Sequence, residues 1–466
     1  MSRQRVAVIG AGITGLTAAY RLMKTGRVDV TVFEARDQVG GTLRSVESEQ
    51  HLFEQGPDSF LARKRVMIDL CTELGLREQL VGTGPLARKT YLVSDGELYP
   101  FPKGTYMGIP LTKEAFEQIP FLSEEGKRRA LLDLTMGPDQ DRENDSMGEL
   151  LTRRLGREVV EKIAEAVLAG VHASPIDRLS VAATYPEFKE AVRRGSLLRG
   201  LQDFVAERQN VVQDDDLPKT AFLTLRSGLS KLAAALLQAL HAQGVTVHTG
   251  CVVTSVENSM REVIVHAEGC EFSCDAVVMA VPAHRACTLV NDEGVRQTLE
   301  AFRYASVATV ALAYRPRDFL FQLDGSGFVV PRREGSDVTA CTFVSSKWPH
   351  MADEDVVTLR AFVGRAEADG IVDAPDEEII ARVRGDLAHW LKADPEPIFS
   401  LVTRWKKGMP QYEVGHLTRV AALTEAARRA YPRVIFSGAA YRGVGLPDCV
   451  ADGMEAAQSI LEALSS

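Results

Sequence analysis

Gly10, Gly12 and Gly15 stand in "VAVIGAGITGL" directly after an apolar run, and Glu34 follows 19 positions past the third glycine. These residue types at that spacing can hold a dinucleotide. The first glycine permits a tight turn from strand to helix. The second lets the backbone approach a pyrophosphate, and the third lets the helix pack closely on the strand. The pyrophosphate would sit at the helix N-terminus, where free N–H groups and the helix dipole favour negative charge. An acid ending the next strand is placed to take ribose hydroxyls, which is the position of Glu34. A second glycine pair, Gly40 and Gly41, follows in "EARDQVGGTLRS". A plain NAD-binding unit has no use for it, whereas FAD-linked chains bring backbone beside the phosphates and flavin there. Near the other end, "RVIFSGAAYRGVGLPDC" reads as a strand, a glycine turn and a helix start, with Pro447 in the first helical turn. Val444, Gly445 and Leu446 then present N–H groups able to stabilise negative charge on a reduced flavin.

Behind these residues must lie a sheet. "RVAVI" at 5–9 is a buried-type strand, the following stretch a helix that Gly26 closes, and "VDVTVFEA" at 28–35 the second strand, giving a βαβ unit. A helix from Ser230 to Gln243, closed by Gly244, leads into two strands at 245–257. A hairpin and a strongly apolar strand at 263–284 then read as a return to the first sheet. Residues 123–200 carry helical period, with a capping box at Ser146 and Glu149 and an apolar face of Leu150, Leu151, Leu155, Val159, Ile163 and Val167. Residues 286–395 alternate β-type runs and end in a helix near 376–391, which predicts a second sheet. The acidic stretch 210–221 predicts a surface loop.

Composition narrows the classes. A chain of 466 residues predicts two or three domains. With 63 acids against 54 bases the net charge is −9, so no global basic surface for nucleic acid is expected. Seven scattered cysteines without C-x-x-C predict free thiols in a reducing compartment. The opening residues enter a strand at once, which predicts no signal peptide. No run approaches the ~20 apolar residues of a spanning helix. A second G-x-G-x-x-G, a P-loop, H-E-x-x-H and G-x-S-x-G are all lacking, so a separate nicotinamide domain is not expected. His266, Cys270 and Cys274 fall on a hairpin, where their spacing does not converge, and no metal is expected.

The order of "GAGITGL", "EARDQVGGTLRS", "GPDSFLARK", "LYPFPKGTYMGIP", "KWPH", "TRWKKGMPQYEVGH" and "GAAYRGVGLPDC" resembles the protoporphyrinogen/coproporphyrinogen oxidase family, in its bacterial water-soluble branch, over essentially the whole chain. The first motif is common to flavin amine-oxidase relatives; "GPDSF", "MPQY-VGH" and "GVGLPDC" together are more specific. The resemblance implies an α/β fold: a Rossmann-like FAD-binding domain of the amine-oxidase type, a mixed-sheet substrate domain and an α-helical domain. The implied segments are 1–75, 215–285 and 395–466 for FAD, 76–100 and 286–394 for the sheet domain, and 101–214 for the helices. It also implies six-electron oxidation of a porphyrinogen in haem synthesis, with non-covalent FAD re-oxidised by O2 to H2O2. The soluble branch favours coproporphyrinogen III. Protoporphyrinogen IX oxidation, a flavin amine oxidase, a carotenoid desaturase and a non-catalytic FAD-binding partner protein are the alternatives.

Carried over, the FAD positions are Gly10, Ala11, Gly12, Ile13, Thr14, Gly15, Glu34, Ala35, Thr42, Gly56, Pro57, Asp58, Ser59, Val253, Trp405, Val444, Gly445 and Leu446. Thr42 stands where relatives commonly carry a basic residue, and Arg44 is the substitute phosphate contact. Lys64 matches a family position proposed to meet a substrate propionate, with Arg63 and Lys103 as weaker candidates; the bland reading is a solvated basic face. No acid–base dyad is evident, and flavin N5 carries the hydride step. Ferrochelatase is a candidate transient partner. The expected setting is cytoplasmic, with membrane contact at most peripheral, as monomer or homodimer. The apolar segment 99–122 reads equally as a cavity wall, a membrane contact or a buried connector.

Overall fold

The computed structural model describes residues 3–48, 51–139, 144–209, 216–259, 262–319 and 322–465. Five parallel strands form one sheet in the order Thr246–His248, Val28–Phe33, Gln4–Ile9, Ala276–Met279 and Val434–Phe436. Gln4–Ile9 sits centrally, and Val6, Ala7, Val8 and Ile9 are buried, as a strand covered on both faces requires. One face is covered by the helices Ile13–Lys24, Ser230–Ala242 and Leu446–Ala463. The first and last of these pack so closely that a Cβ on Gly453 would lie 2.4 Å from the Thr14 carbonyl oxygen. The other face carries the three-stranded sheet Val253–Asn258, Val263–Ala267 and Cys270–Cys274 with the helices Ala283–Leu289, Glu293–Glu300 and His416–Ala430.

A second, seven-stranded sheet runs Phe399–Pro410, Tyr304–Tyr314, Val357–Val363, Val338–Phe343, Gly327–Val329, Tyr91–Ser94 and Glu97–Pro100. It is mixed, because Gly327–Val329 pairs in parallel with Tyr91–Ser94 while the other pairs are antiparallel. The helix Asp376–Leu391 seals one face through Ile379, Val383, Leu387 and Trp390. Each such fully buried side chain contributes about 1.5–3 kcal/mol.

A third core is helical. Ser146 and Glu149 form the capping box of Met147–Leu155. Gly156, at φ +90°, ends that helix, and the chain continues into a π-wound segment, Val160–Ala169. Leu150, Leu151, Leu155, Val159 and Ile163 are buried as their spacing predicts, but Val167 is only half-buried and Leu168 takes its place. The wider π turn shifts the inward face by one residue. Ile109, Leu111, Phe116, Ile119 and Leu122 are buried in the same core, so the 99–122 segment places much of its apolar surface inside the protein.

Core contacts and strand pairing run across several of the expected segment boundaries. Leu76 and Leu80 belong to the dinucleotide core, and Leu80–Gly82 joins a small sheet with Phe222–Leu225 and Phe60–Leu61, so the first segment runs past 75. Leu289, Val295, Leu299 and Phe302 still pack on the parallel sheet, beyond the expected boundary at 285. The segment expected to return at 395 instead begins with Phe399–Pro410, an edge strand of the seven-stranded sheet. Strand pairing and side-chain contact decide membership, and neither follows from the order of elements along the chain. The acidic loop expected at 210–221 lies outside the described residues up to 215.

All seven cysteines are free. Among the described residues, no helix is long and apolar enough to cross a membrane.

Candidate functional site

The glycine turn is built as its spacing demands. Gly10 has φ +99°, and a Cβ there would lie 2.6 Å from the Ala280 carbonyl oxygen. A Cβ on Gly15 would lie 1.9 Å from the Gly10 carbonyl oxygen, which is the close helix–strand contact. A Cβ on Gly12 would meet nothing within 4 Å. Gly12 is also the N-cap of Ile13–Lys24, with no side-chain cap on the first-turn amides. Open space in front of uncapped N–H groups is a cradle for an anion. Ala11, Ile13 and Thr14 are buried behind it.

The second glycine pair packs on the first. Gly40 bridges Gly12, its N–H donates to Ala11 O at 2.7 Å, and a Cβ on Gly41 would lie 3.1 Å from Gly12 Cα. Glu34 follows its strand directly and is half-buried; its Oε2 accepts the Ala11 N–H at 2.7 Å and its Oε1 the Arg36 N–H at 3.0 Å. Ala35 is exposed beside it. The Cys251 N–H donates to Glu34 O at 2.9 Å, which brings buried Val253 into the same neighbourhood. Thr42 is exposed. Arg44 is half-buried, its Nε is buried without a hydrogen-bond partner, and desolvation together with the neighbouring Arg36 holds its pKa below the ordinary value. An orphaned guanidinium beside a second cation fits an anionic group such as a phosphate.

The loop Gly56, Pro57, Asp58 and Ser59 lies against this region, since a Cβ on Gly56 would lie 2.1 Å from Thr42 O. The Asp58 carboxylate is fully engaged with protein. It accepts from Ser59 Oγ at 2.7 Å, Lys347 Nζ at 3.1 Å and Trp348 Nε1 at 3.3 Å, and Arg360 Nη2 lies 3.2 Å away. The two cations outweigh desolvation and hold its carboxyl well below the usual carboxylate range. Asp58 therefore ties the loop to the seven-stranded sheet, and what it has left for a ligand is backbone. Trp405 Nε1 donates to Gln55 O at 3.1 Å.

Behind the loop, Glu54 is 3% exposed and its carboxyl is pushed up to about 7 by burial, despite accepting the Leu229 N–H at 2.6 Å and the Ser45 hydroxyl at 2.9 Å. The fold thus favours neutral Glu54. Its contribution is greatest below the ordinary value of 4.5 and declines as pH rises through about 7. The melting temperature should fall between about pH 5 and pH 8, and Glu54→Gln should flatten that slope. An identical slope in the variant would show that Glu54 does not titrate there.

At the C-terminal turn, Gly445 caps Leu446–Ala463 without a side-chain cap, and Pro447 occupies its first turn. Buried Tyr412 accepts the Gly443 N–H at 2.6 Å and donates to Ala439 O at 2.9 Å, so it holds the turn from behind. Lys64 Nζ pairs with Asp448, in that helix's first turn. A substrate carboxylate would have to compete with Asp448 for Lys64.

The structure thus brings the glycine turn, Glu34, Arg44, the 56–59 loop and Trp405 into linked positions, and Lys64 next to the Val444–Leu446 helix start. It does not gather the other basic candidates there. Arg63 is exposed and its charge is felt by Tyr106, which donates to Glu187 at 2.6 Å; Lys103 is exposed on the loop after Glu97–Pro100. Residues that sequence reasoning missed are Arg360, Lys347, Thr309 and Gln55. Arg360 had a signal: it is the one charged residue inside "VVTLRAFVG". Lys347 stands in the quoted "KWPH".

Lys347 also lines a cavity of about 500 Å³ with Arg88, Lys219, Phe222 and Thr342. It opens beside the 56–59 loop, because Phe222 pairs with Leu61 and Lys347 with Asp58. A larger cleft of about 910 Å³, lined by His51, Arg315, Arg317 and Phe399, touches none of the cofactor positions.

The family model described as flavin containing amine oxidoreductase matches residues 13–461. The chain is 35% identical to the coproporphyrinogen III oxidase of Staphylococcus aureus, over 98% of this chain and 99% of that one. It is also 35% identical to the coproporphyrinogen III oxidase of Bacillus subtilis, over 100% and 99%. The crystal structure of a candidate protoporphyrinogen oxidase from Exiguobacterium sp. 255-15 superposes with a TM-score of 0.88 at 33% identity, covering 100% of both chains.

Proposed function

The chain belongs to the flavin containing amine oxidoreductase family, and on that premise we propose that it oxidises coproporphyrinogen III to coproporphyrin III. It is an oxidoreductase whose cofactor is FAD. When bound, FAD supplies hydride acceptance and re-oxidation by O2, so that six electrons leave the substrate and three O2 become three H2O2. The chain supplies binding and orientation. The uncapped start of Ile13–Lys24 and Arg44 are offered for the phosphates, Glu34 for the ribose, and the 56–59 loop, Trp405 and the Val444–Leu446 helix start for the flavin.

The observation that carries the substrate reading is the cavity of about 500 Å³ beside the 56–59 loop. Arg88 and Lys219 give it cationic walls and Phe222 an apolar one, while Lys347 is held by Asp58. A flexible macrocycle bearing carboxylates meets both needs, whereas the ammonium group of an amine is repelled by the cationic walls. Coproporphyrinogen carries four propionates and protoporphyrinogen two, so a cavity with several cations favours the former. Protoporphyrinogen oxidation is the second reading, favoured by the description of the Exiguobacterium chain. Ferrochelatase, which consumes a finished porphyrin, is the proposed transient partner.

Aerobic turnover of both porphyrinogens, read by porphyrin fluorescence with peroxide in parallel, tests the proposal. Faster coproporphyrin formation is expected. Bound FAD with neither porphyrin formed would overturn it. Arg88→Met should raise KM for coproporphyrinogen by about fivefold, the worth of one exposed charge pair. It should change KM for protoporphyrinogen less; equal increases would place Arg88 against a propionate common to both, and an unchanged KM for both would remove Arg88 from the site.

A further inference from the structure

Three consecutive carbonyls ahead of Pro57 are gripped by side chains of the seven-stranded sheet. Arg360 Nη1 donates to Glu54 O at 2.8 Å and to Gly56 O at 2.9 Å. Between them, Gln55 O accepts from Thr309 Oγ1 at 3.0 Å and from Trp405 Nε1 at 3.1 Å. Arg360 also pairs with Asp58. Arg360 is 4% exposed, and its strand neighbours Leu359 and Ala361 are buried and apolar. A guanidinium in such a strand is costly unless its donors are used, and here Nη1 and Nη2 are both turned on one loop, while Nε is buried without a partner.

In a trans peptide the carbonyl of one residue and the N–H of the next point to opposite sides. Turning Glu54 O towards Arg360 therefore aims the Gln55 N–H the other way, where it donates to Arg44 O at 2.8 Å. Turning Gln55 O towards Thr309 and Trp405 likewise aims the Gly56 N–H away from the sheet. That N–H has no acceptor among the described residues. Residue 57 is proline and has no N–H to aim. Gly56 itself admits no side chain, because a Cβ would strike Thr42 O.

We propose that Arg360 is a positioning residue for the flavin cofactor: it clamps the Glu54–Asp58 loop from behind, so that the Gly56 N–H is presented to FAD on the Thr42–Arg44 side. The inference rests on FAD as cofactor and is independent of which porphyrinogen is oxidised. A donor held in place before the ligand arrives needs no reorganisation when it binds.

Arg360→Lys tests this. Lysine keeps a charge for Asp58 but lacks the fork that spans two carbonyls and a carboxylate. FAD is titrated into apoprotein by flavin fluorescence quenching, and the visible circular dichroism and midpoint potential of the bound flavin are recorded. The expected result is a Kd weakened by about tenfold, with a changed dichroism and potential, as loss of one preorganised donor set implies. The apoprotein melting temperature should stay within about 5 °C of the parent. Unchanged affinity and dichroism in the folded variant would overturn the proposal. If Arg360→Lys does not fold, Thr309→Val removes one of the two donors at Gln55 O and should weaken FAD by about threefold; no change there would overturn it equally. Porphyrinogen turnover is not read in this assay, so failure of the substrate reading leaves its outcome unaffected.

Discussion

Gly12→Val should yield a folded protein that has lost its flavin. No atom lies within 4 Å of a Cβ at this position, and the backbone, at φ −71° and ψ 177°, is one a valine adopts without strain. The cost to the fold is that of a poorer N-cap, about 1 kcal/mol. The two added methyl groups would fill the space through which a pyrophosphate reaches the helix amides. An overpacked contact of about 3 kcal/mol corresponds to a hundredfold loss of FAD affinity. Titrating apoprotein with FAD, alongside a thermal melt, measures both. Gly15→Ala is the contrasting case, since its Cβ would lie 1.9 Å from Gly10 O and strain the helix–strand contact itself. That variant should melt early with or without flavin. Parent-like FAD binding by Gly12→Val would mean the cofactor does not approach this turn.

Asp58→Ala should destabilise the junction between the 56–59 loop and the seven-stranded sheet by about 3–5 kcal/mol, because it leaves two cations without their counter-charge. Arg360 is 4% exposed and the Lys347 side chain 14%. The pH dependence has a definite sign. The cations hold the Asp58 carboxyl below its ordinary value of 3.8, so the stabilisation is fully present above about pH 5 and fades as pH falls towards the depressed value. Urea unfolding at neutral pH and near pH 3 would show parent and variant far apart in the first condition and closer in the second. A constant gap would show that the Asp58 charge is not what holds the loop.

Much of this protein was decided locally. The parallel strands, the turn at Gly10, Gly12 and Gly15, the acid at Glu34, the capping box at Ser146 and the helix start at Gly445 are legible because each rests on residues a few positions apart. Chain stiffness, sterics and capping chemistry act over that range. The same holds for the helix Asp376–Leu391 and the apolar strand Tyr304–Tyr314. Three things were decided only by the tertiary structure. Phe399–Pro410 became an edge of the mixed sheet because strand pairing joins residues about a hundred positions apart. Lys64 was drawn to Asp448, 384 residues away. Arg360, unremarkable in an apolar strand, closed on Glu54, Gly56 and Asp58 across about 300 positions. Charge pairs and carbonyl clamps form wherever packing brings donors and acceptors together, and a linear pattern carries no record of that distance. The sequence alone therefore determined which cofactor this chain is built to hold, and the tertiary structure alone decided which side chains hold its loop in place.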